Sequence, residues 1–221
     1  MSRVATGVYG GQSAEERRAE RRAQLLAAGL DLLGTEGWNA TTVRGVCERA
    51  RLTSRFFYES FEDLEGLAVA VFDEVAEDVT ERVIAAVEAA QADPPRQARA
   101  AIETFVRTLT DDPRRARVAF VEGLASEALL ERRLATMRAF AELIAAQARE
   151  SYGSPAGEDP LVDLTARLLA GGLAELMITW LEGEIEMGRE QLIDDCVALF
   201  VATAESAAAI ARRRAGKPPD Q

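Results

Sequence analysis

The side chains best equipped for chemistry crowd one short stretch: Thr42, Arg44, Thr53, Ser54, Arg55, Phe56 and Tyr58. Hydroxyls of the Thr42, Thr53, Ser54 and Tyr58 type suit phosphate oxygens, which position a protein on a duplex without reading its sequence. Arg55 carries a planar fork of donors that can grip O6 and N7 of guanine together. Its competing partner is Glu59, four residues on along the same helix. Phe56 can touch a thymine methyl or turn into the core. Upstream, Arg17, Arg18, Arg21 and Arg22 form a basic run that either reaches DNA or stays solvated. Catalysis has little to work with. Histidine is absent, which removes the commonest general base and metal ligand. No paired carboxylates stand inside an apolar stretch. The expectation is a protein that is not an enzyme, with no metal and no cofactor.

These residues need a frame, and the sequence supplies one. Thr41 or Thr42 can cap a first short helix, in which Val43, Val46 and Cys47 share a buried face at i, i+3, i+4. A tight turn follows. A second short helix turns Phe57 and Phe61 inward and leaves Thr53, Ser54, Arg55, Tyr58 and Glu59 outward. Such a pair is the shape that places one helix in a major groove. Ahead of it, Ser13 and Glu16 have capping-box spacing. The helix they open runs to about Thr35, with Leu25, Leu26, Leu30 and Leu33 inside, and Gly37 stops it.

A long helix starts near Glu62. Its apolar stripe passes through Leu67, Val71, Val75, Val79, Val83 and Val87, and no Gly or Pro interrupts it from Leu67 to Ala92. Further helices are expected at about 96–110, 113–124, 127–151, 160–182 and 188–213, with a loop at 153–157. No strand alternation of any length occurs. The fold class is therefore all-α, with about nine helices. The domain reading is a flexible arm at 1–12, a helix-turn-helix domain at 13–61, a helical ligand-binding and dimerisation domain at 62–213, and a tail at 214–221.

The net charge of −11 looks wrong for a nucleic-acid binder until it is divided along the chain. Residues 1–70 hold nine Arg and ten Asp or Glu, whereas the remainder holds seventeen basic and twenty-seven acidic groups. The acidic excess lies away from the proposed DNA-facing surface, and the local field is what phosphates meet. No apolar run approaches the roughly 18 residues of a membrane span. Residues 1–12 lack the apolar core of a secretory signal. Cys47 and Cys196 sit far apart in apolar helical patterns, which fits a reducing, cytoplasmic setting without a disulfide framework.

From about Glu15 to Phe72 the chain resembles the TetR family of bacterial transcriptional repressors. The residues that carry the likeness are Leu25-Leu-Ala-Ala28, Gly37-Trp-Asn-Ala-Thr-Thr-Val43, Ala50, Leu52-Thr-Ser, Phe57, Tyr58, Phe61 and Leu67. The form Arg55-Phe-Phe-Tyr-Glu-Ser-Phe61 is similar to a branch common in high-GC actinobacteria. There are departures. Arg51 stands where the family usually has Gly, Arg55 and Phe56 stand where it often has Gly-Thr, and Leu64 replaces a Lys that touches phosphate. Arg51 or Arg44 can supply that missing charge.

The resemblance implies a double-stranded DNA operator, a small-molecule effector and a homodimer built from the last two long helices. Candidate pocket residues are Phe105, Phe120, Glu122, Met137, Phe140, Met177 and Trp180, with Arg107 as a candidate for an acidic ligand. Candidate interface residues are Leu169, Leu173, Leu176, Leu199, Phe200 and Ala207, beside small residues such as Gly171 and Gly172. The function expected is that of a repressor released from a palindromic operator by an apolar or amphipathic ligand. The alternative is a helical small-molecule-binding protein of the same fold without operator recognition.

Overall fold

The computed structural model describes residues 13–90, 93–153 and 159–216, and these are almost wholly helical, with no strand among them. The expected arm, and most of the expected 153–157 loop, lie outside the described residues. Helix α1, Ala14–Thr35, opens on the capping box: Ser13 accepts from the Glu16 N–H at 3.1 Å, and Glu16 accepts from the Ser13 N–H at 2.5 Å. It ends where Gly37 takes φ +86°, a left-handed conformation that glycine adopts at no steric cost. Helix α2, Val43–Ala50, is capped by Thr42, which accepts from the Gly45 N–H at 3.0 Å. Thr41 does something else. It is buried, and its hydroxyl donates to the Gly37 carbonyl at 2.8 Å.

The turn between α2 and α3, Ser54–Tyr58, is closed by two backbone bonds. Leu52 N–H reaches the Cys47 carbonyl at 2.9 Å and Arg51 N–H reaches the Glu48 carbonyl at 3.2 Å. This is the Schellman arrangement, which needs a left-handed residue at its corner. Here that residue is Arg51, at φ 56°, and no other non-glycine residue among those described has positive φ. A side chain at that angle is disfavoured by about 1–2 kcal/mol. Arg51→Gly is therefore expected to raise stability by up to about 1 kcal/mol, part of the relief being lost to glycine's entropy in the unfolded chain. Urea unfolding would check it, and a lower midpoint would show that the Arg51 side chain has a stabilising contact outweighing the strain.

Helix α4, Leu64–Ala89, begins on Asp63, which caps the Gly66 N–H at 2.8 Å. After it come α5, Pro94–Thr110, and α6, Pro113–Phe120, each with Pro in its first turn, where the missing N–H is no loss. The helix expected over 113–124 stops at Phe120, and Glu122–Leu124 form a separate 3-10 turn. Helix α7 spans Glu127–Tyr152, α8 Leu161–Leu181 and α9 Arg189–Ala215. Arg214 and Ala215 are thus helical rather than part of a tail.

Packing follows the apolar stripes. Helix α1 packs on α2, α4 and α6, while α4 continues between α5 and α7, and α8 lies on α7 and α9. One core gathers Leu25, Leu33, Val46, Phe57, Leu67 and Val71. A second gathers Val79, Val106, Met177, Ile193 and Cys196. Burial pushes the thiols of Cys47 and Cys196 up, away from the reactive thiolate. Where α1 crosses α6 the two touch backbone to backbone. A Cβ placed on Gly34 would stand 2.3 Å from Cβ and 2.7 Å from Cα of Arg114. No helix among the described residues is long and apolar enough to cross a membrane.

Candidate DNA-binding face and ligand cavity

The short helix α3 presents its first turn outward because Phe57 and Phe61 anchor the opposite side, their ring centres 5.7 Å apart and both rings buried. Thr53, Ser54, Arg55 and Tyr58 are exposed, and Tyr58 keeps 61% of its surface open to solvent. Thr42 and Arg44, at the start of α2, are also exposed. All six of these expected contact residues are thus exposed. Phe56 is the exception. It is half-buried beneath the Arg21 guanidinium, 4.4 Å from the ring centre, so it braces α3 against α1.

Two of the cations are occupied in the free protein. Arg55 donates to Glu59 at 3.1 Å and Arg44 to Glu48 at 2.8 Å, both as exposed i,i+4 pairs. Such pairs contribute only a few tenths of a kcal/mol, so a phosphate or a guanine edge can displace them. Glu59 also holds α1 in place. Its carbonyl accepts from Arg18 at 2.8 Å, and its carboxylate lies 3.9 Å from Arg21.

The second site is a cavity of about 520 Å³ beside α4. Phe105, Phe120, Met137 and Phe140 line it, as expected from the sequence, and Phe105 meets Phe140 edge to face at 5.9 Å. Met177 and Trp180 do not line it. Met177 is fully buried in core packing, and the Trp180 indole N–H donates to the Met187 carbonyl at 2.9 Å. The valine stripe of α4, from Val75 to Val87, was legible as a buried face, yet it forms one whole wall of the cavity. Phe72 belongs both to this wall and to the first of the two cores.

Glu122, expected in the pocket, faces the other way. It is only 6% exposed. One oxygen accepts from the Trp38 backbone N–H at 2.8 Å and the other from Arg117 at 2.9 Å. Arg117 also donates to the Thr35 carbonyl at 2.9 Å. The reason is positional. The 3-10 turn carries Glu122 away from the cavity and under the α1–α2 connection, where two free backbone groups need partners. Close by, Arg114 donates to Asp31 at 3.1 Å and pairs with Asp112 at 2.7 Å, while Arg49 pairs with Asp31 from the other side. Arg107, the candidate for an acidic ligand, is taken up by Glu103 at 2.9 Å and Glu190 at 2.8 Å.

The residues expected at an interface on α8 are mostly occupied within the chain. Leu169 and Leu173 turn into the cavity with Phe200, and Leu176 packs on the second core. The outward apolar residues are Leu164 and Leu168, 64% and 66% exposed, with Leu199 at 58% on α9. A Cβ on Gly171 or Gly172 would meet nothing within 4 Å. Ala207 is half-buried. Among the described residues no cluster of three or more His, Cys, Asp or Glu is placed to hold a metal.

Two short helices closed by a Schellman turn, with exposed hydroxyls and guanidiniums on both, define a helix-turn-helix unit of the kind that enters a DNA major groove. Residues 25–71 match the family model of bacterial regulatory proteins of the tetR family. No curated protein matches the chain in sequence. The whole fold is shared with solved structures. The fatty acid degradation regulator FadR from Bacillus halodurans is 16% identical, with TM-score 0.71 over 81% of this chain and 94% of its own. A transcriptional regulator from Pseudomonas aeruginosa PAO1 is 20% identical, with TM-score 0.71 over 89% and 94%. FadR from Bacillus subtilis, solved in complex with stearoyl-CoA, is 18% identical, with TM-score 0.67 over 84% and 96%.

Proposed function

We propose that this regulator is a repressor that acts as a homodimer and leaves a pseudopalindromic operator when an apolar or amphipathic effector fills the cavity beside α4. The observation that carries the reading is the course of α4. The same helix packs on α1 at its N-terminal end and forms the cavity wall further along. An effector that fits the cavity in only one arrangement of α4 changes the spacing of the two reading helices. It shifts the balance only by its differential affinity for the two arrangements. Dimerisation through the outward faces of α8 and α9, around Leu164, Leu168 and Leu199, sets two copies of α3 about one helical turn, roughly 34 Å, apart. Thr42, Thr53, Ser54 and Tyr58 hold phosphates in this reading, and Arg55 reads a base.

The cavity suits a long apolar body. Its α4 wall runs from Phe72 to Glu88, roughly 24 Å at 1.5 Å per residue. The stearoyl-CoA held by the Bacillus subtilis relative is of that shape in its acyl part. Selection of random duplexes by the full-length protein is the test. An enriched palindrome is expected, bound with an affinity that falls steeply from low to moderate salt, because phosphate contacts release counterions. No enriched palindrome would favour a helical small-molecule binder without an operator, and an affinity indifferent to salt would remove the phosphate contacts assigned above.

A further inference from the structure

The cavity wall contains one feature that an apolar effector alone leaves unexplained: Arg133. This α7 residue lines the cavity among Phe72, Phe120 and Met137. It is half-buried and, among the described residues, has no hydrogen bond and no carboxylate within ion-pair distance. By contrast, Arg132 is engaged with Asp73, Arg117 with Glu122, and Arg107 with Glu103 and Glu190. Burial pulls the Arg133 guanidinium below its ordinary range, and only the more distant Glu175 opposes this. Its side chain lies against Gly123, whose Cβ position would be 3.2 Å from Arg133 Cδ and 3.7 Å from the Phe72 ring. The Arg133 side chain thus runs past Gly123, close to Phe72 of the first core. A partly desolvated cation without a partner is costly to maintain unless something anionic completes it.

The surroundings point to what the anion is. A cleft between α4 and α7 adjoins the cavity, sharing Ala76, Thr136, Phe140 and Leu143 with it. Asp73, Glu77 and Glu81 line that cleft, with Arg132 as its one cation, and Glu88 and Glu150 border the cavity itself. A polyphosphate headgroup held at these edges would meet like charge. A single carboxylate passing inward to a guanidinium meets a bidentate partner instead.

Building on the cavity reading above, we infer that the effector is a free apolar monocarboxylic acid, bound carboxylate first against Arg133, rather than its coenzyme A thioester. The acid's charge then sits beside Gly123, one residue from the Glu122 contact that grips the α1–α2 connection. Effector binding and the hold on the DNA-reading helices thereby meet in one 3-10 turn.

The test uses the full chain and three probes with one sixteen-carbon body: hexadecanoate, hexadecan-1-ol and hexadecanoyl-CoA, each competing with bound Nile red below its micellar concentration. The acid is expected to bind at least tenfold more tightly than the alcohol, and more tightly than the thioester. Arg133→Gln should remove the preference for acid while leaving the alcohol unchanged, and Arg133→Lys should keep part of it. Equal binding of acid and alcohol by the unaltered protein, or a preference that survives Arg133→Gln, overturns the inference and leaves the cavity reading standing. Tighter binding of the thioester overturns it as well. Failure of every probe, Nile red included, overturns both readings. Should Arg133→Gln fail to fold, the acid-to-alcohol ratio of the unaltered chain and the Arg133→Lys protein still decide.

Discussion

Replacing Glu122 with alanine is expected to destabilise the protein by about 3 kcal/mol, the lower end for removing one partner of a buried, hydrogen-bonded charge pair. The lower end applies because Arg117 keeps 38% of its side chain exposed and recovers water when its partner goes, whereas Glu122 keeps only 8%. The half-buried Trp38 N–H loses its partner as well, a bond that spans 84 residues of sequence. Glu122→Gln separates the two losses. An amide oxygen can still accept from Trp38, so this variant should keep that bond and lose the charge-assisted bond from Arg117, about 1.5 kcal/mol. Denaturant unfolding of both variants measures the difference. If alanine and glutamine behave alike, the Trp38 bond contributes nothing. Operator release by effector should also weaken in the alanine variant, since its 3-10 turn no longer grips the α1–α2 connection.

Gly34→Ala should have the second largest effect, a net loss of about 2 kcal/mol. Helix propensity alone favours alanine by about 1 kcal/mol. Against this stands overpacking, which costs about 1–3 kcal/mol and more when the neighbour cannot rotate away. The neighbour here is the Arg114 backbone at 2.7 Å together with its Cβ at 2.3 Å, neither of which a rotamer change can move. Helix α6 must therefore slide. In sliding it strains Arg114–Asp31, Arg117–Thr35 and Glu122–Trp38 together. A thermal midpoint lower by about 4–8 °C is the expected reading for a chain of this size. A midpoint that rises would mean that the helices are not in backbone contact at this crossing.

What the sequence made legible is what depends on neighbours along the chain. Ser13 with Glu16, Thr42 with Gly45, the inward pair Phe57 and Phe61, and the valine stripe of α4 are all local spacings, and each appears as expected. The misses depend on partners far away. Glu122 lies in an apolar run, which suggests a pocket, but its acceptor role is set by a backbone N–H on another domain. Arg107 and Arg133 look alike as sequence. Only the fold brings Glu103 and Glu190 to the first and leaves the second alone. On α8, leucines occupy so much of the surface that periodicity could not choose between the Leu169–Leu173 face and the Leu164–Leu168 face. The choice is made by where α7 and the cavity lie. Gly34 gave no signal either, since a glycine inside a helix says that something approaches closely but not what.

Phe72 has a consequence for how the protein can be studied. Its ring is at once part of the N-terminal core and part of the cavity wall, so the two binding events share an atom-level neighbour. Linkage is reciprocal: whatever factor the effector takes from operator affinity, the operator must take from effector affinity. Under the proposed function, a short operator duplex is then itself expected to act as an antagonist of the cavity. Effector titrations run with and without DNA would report the coupling strength without any measurement of transcription.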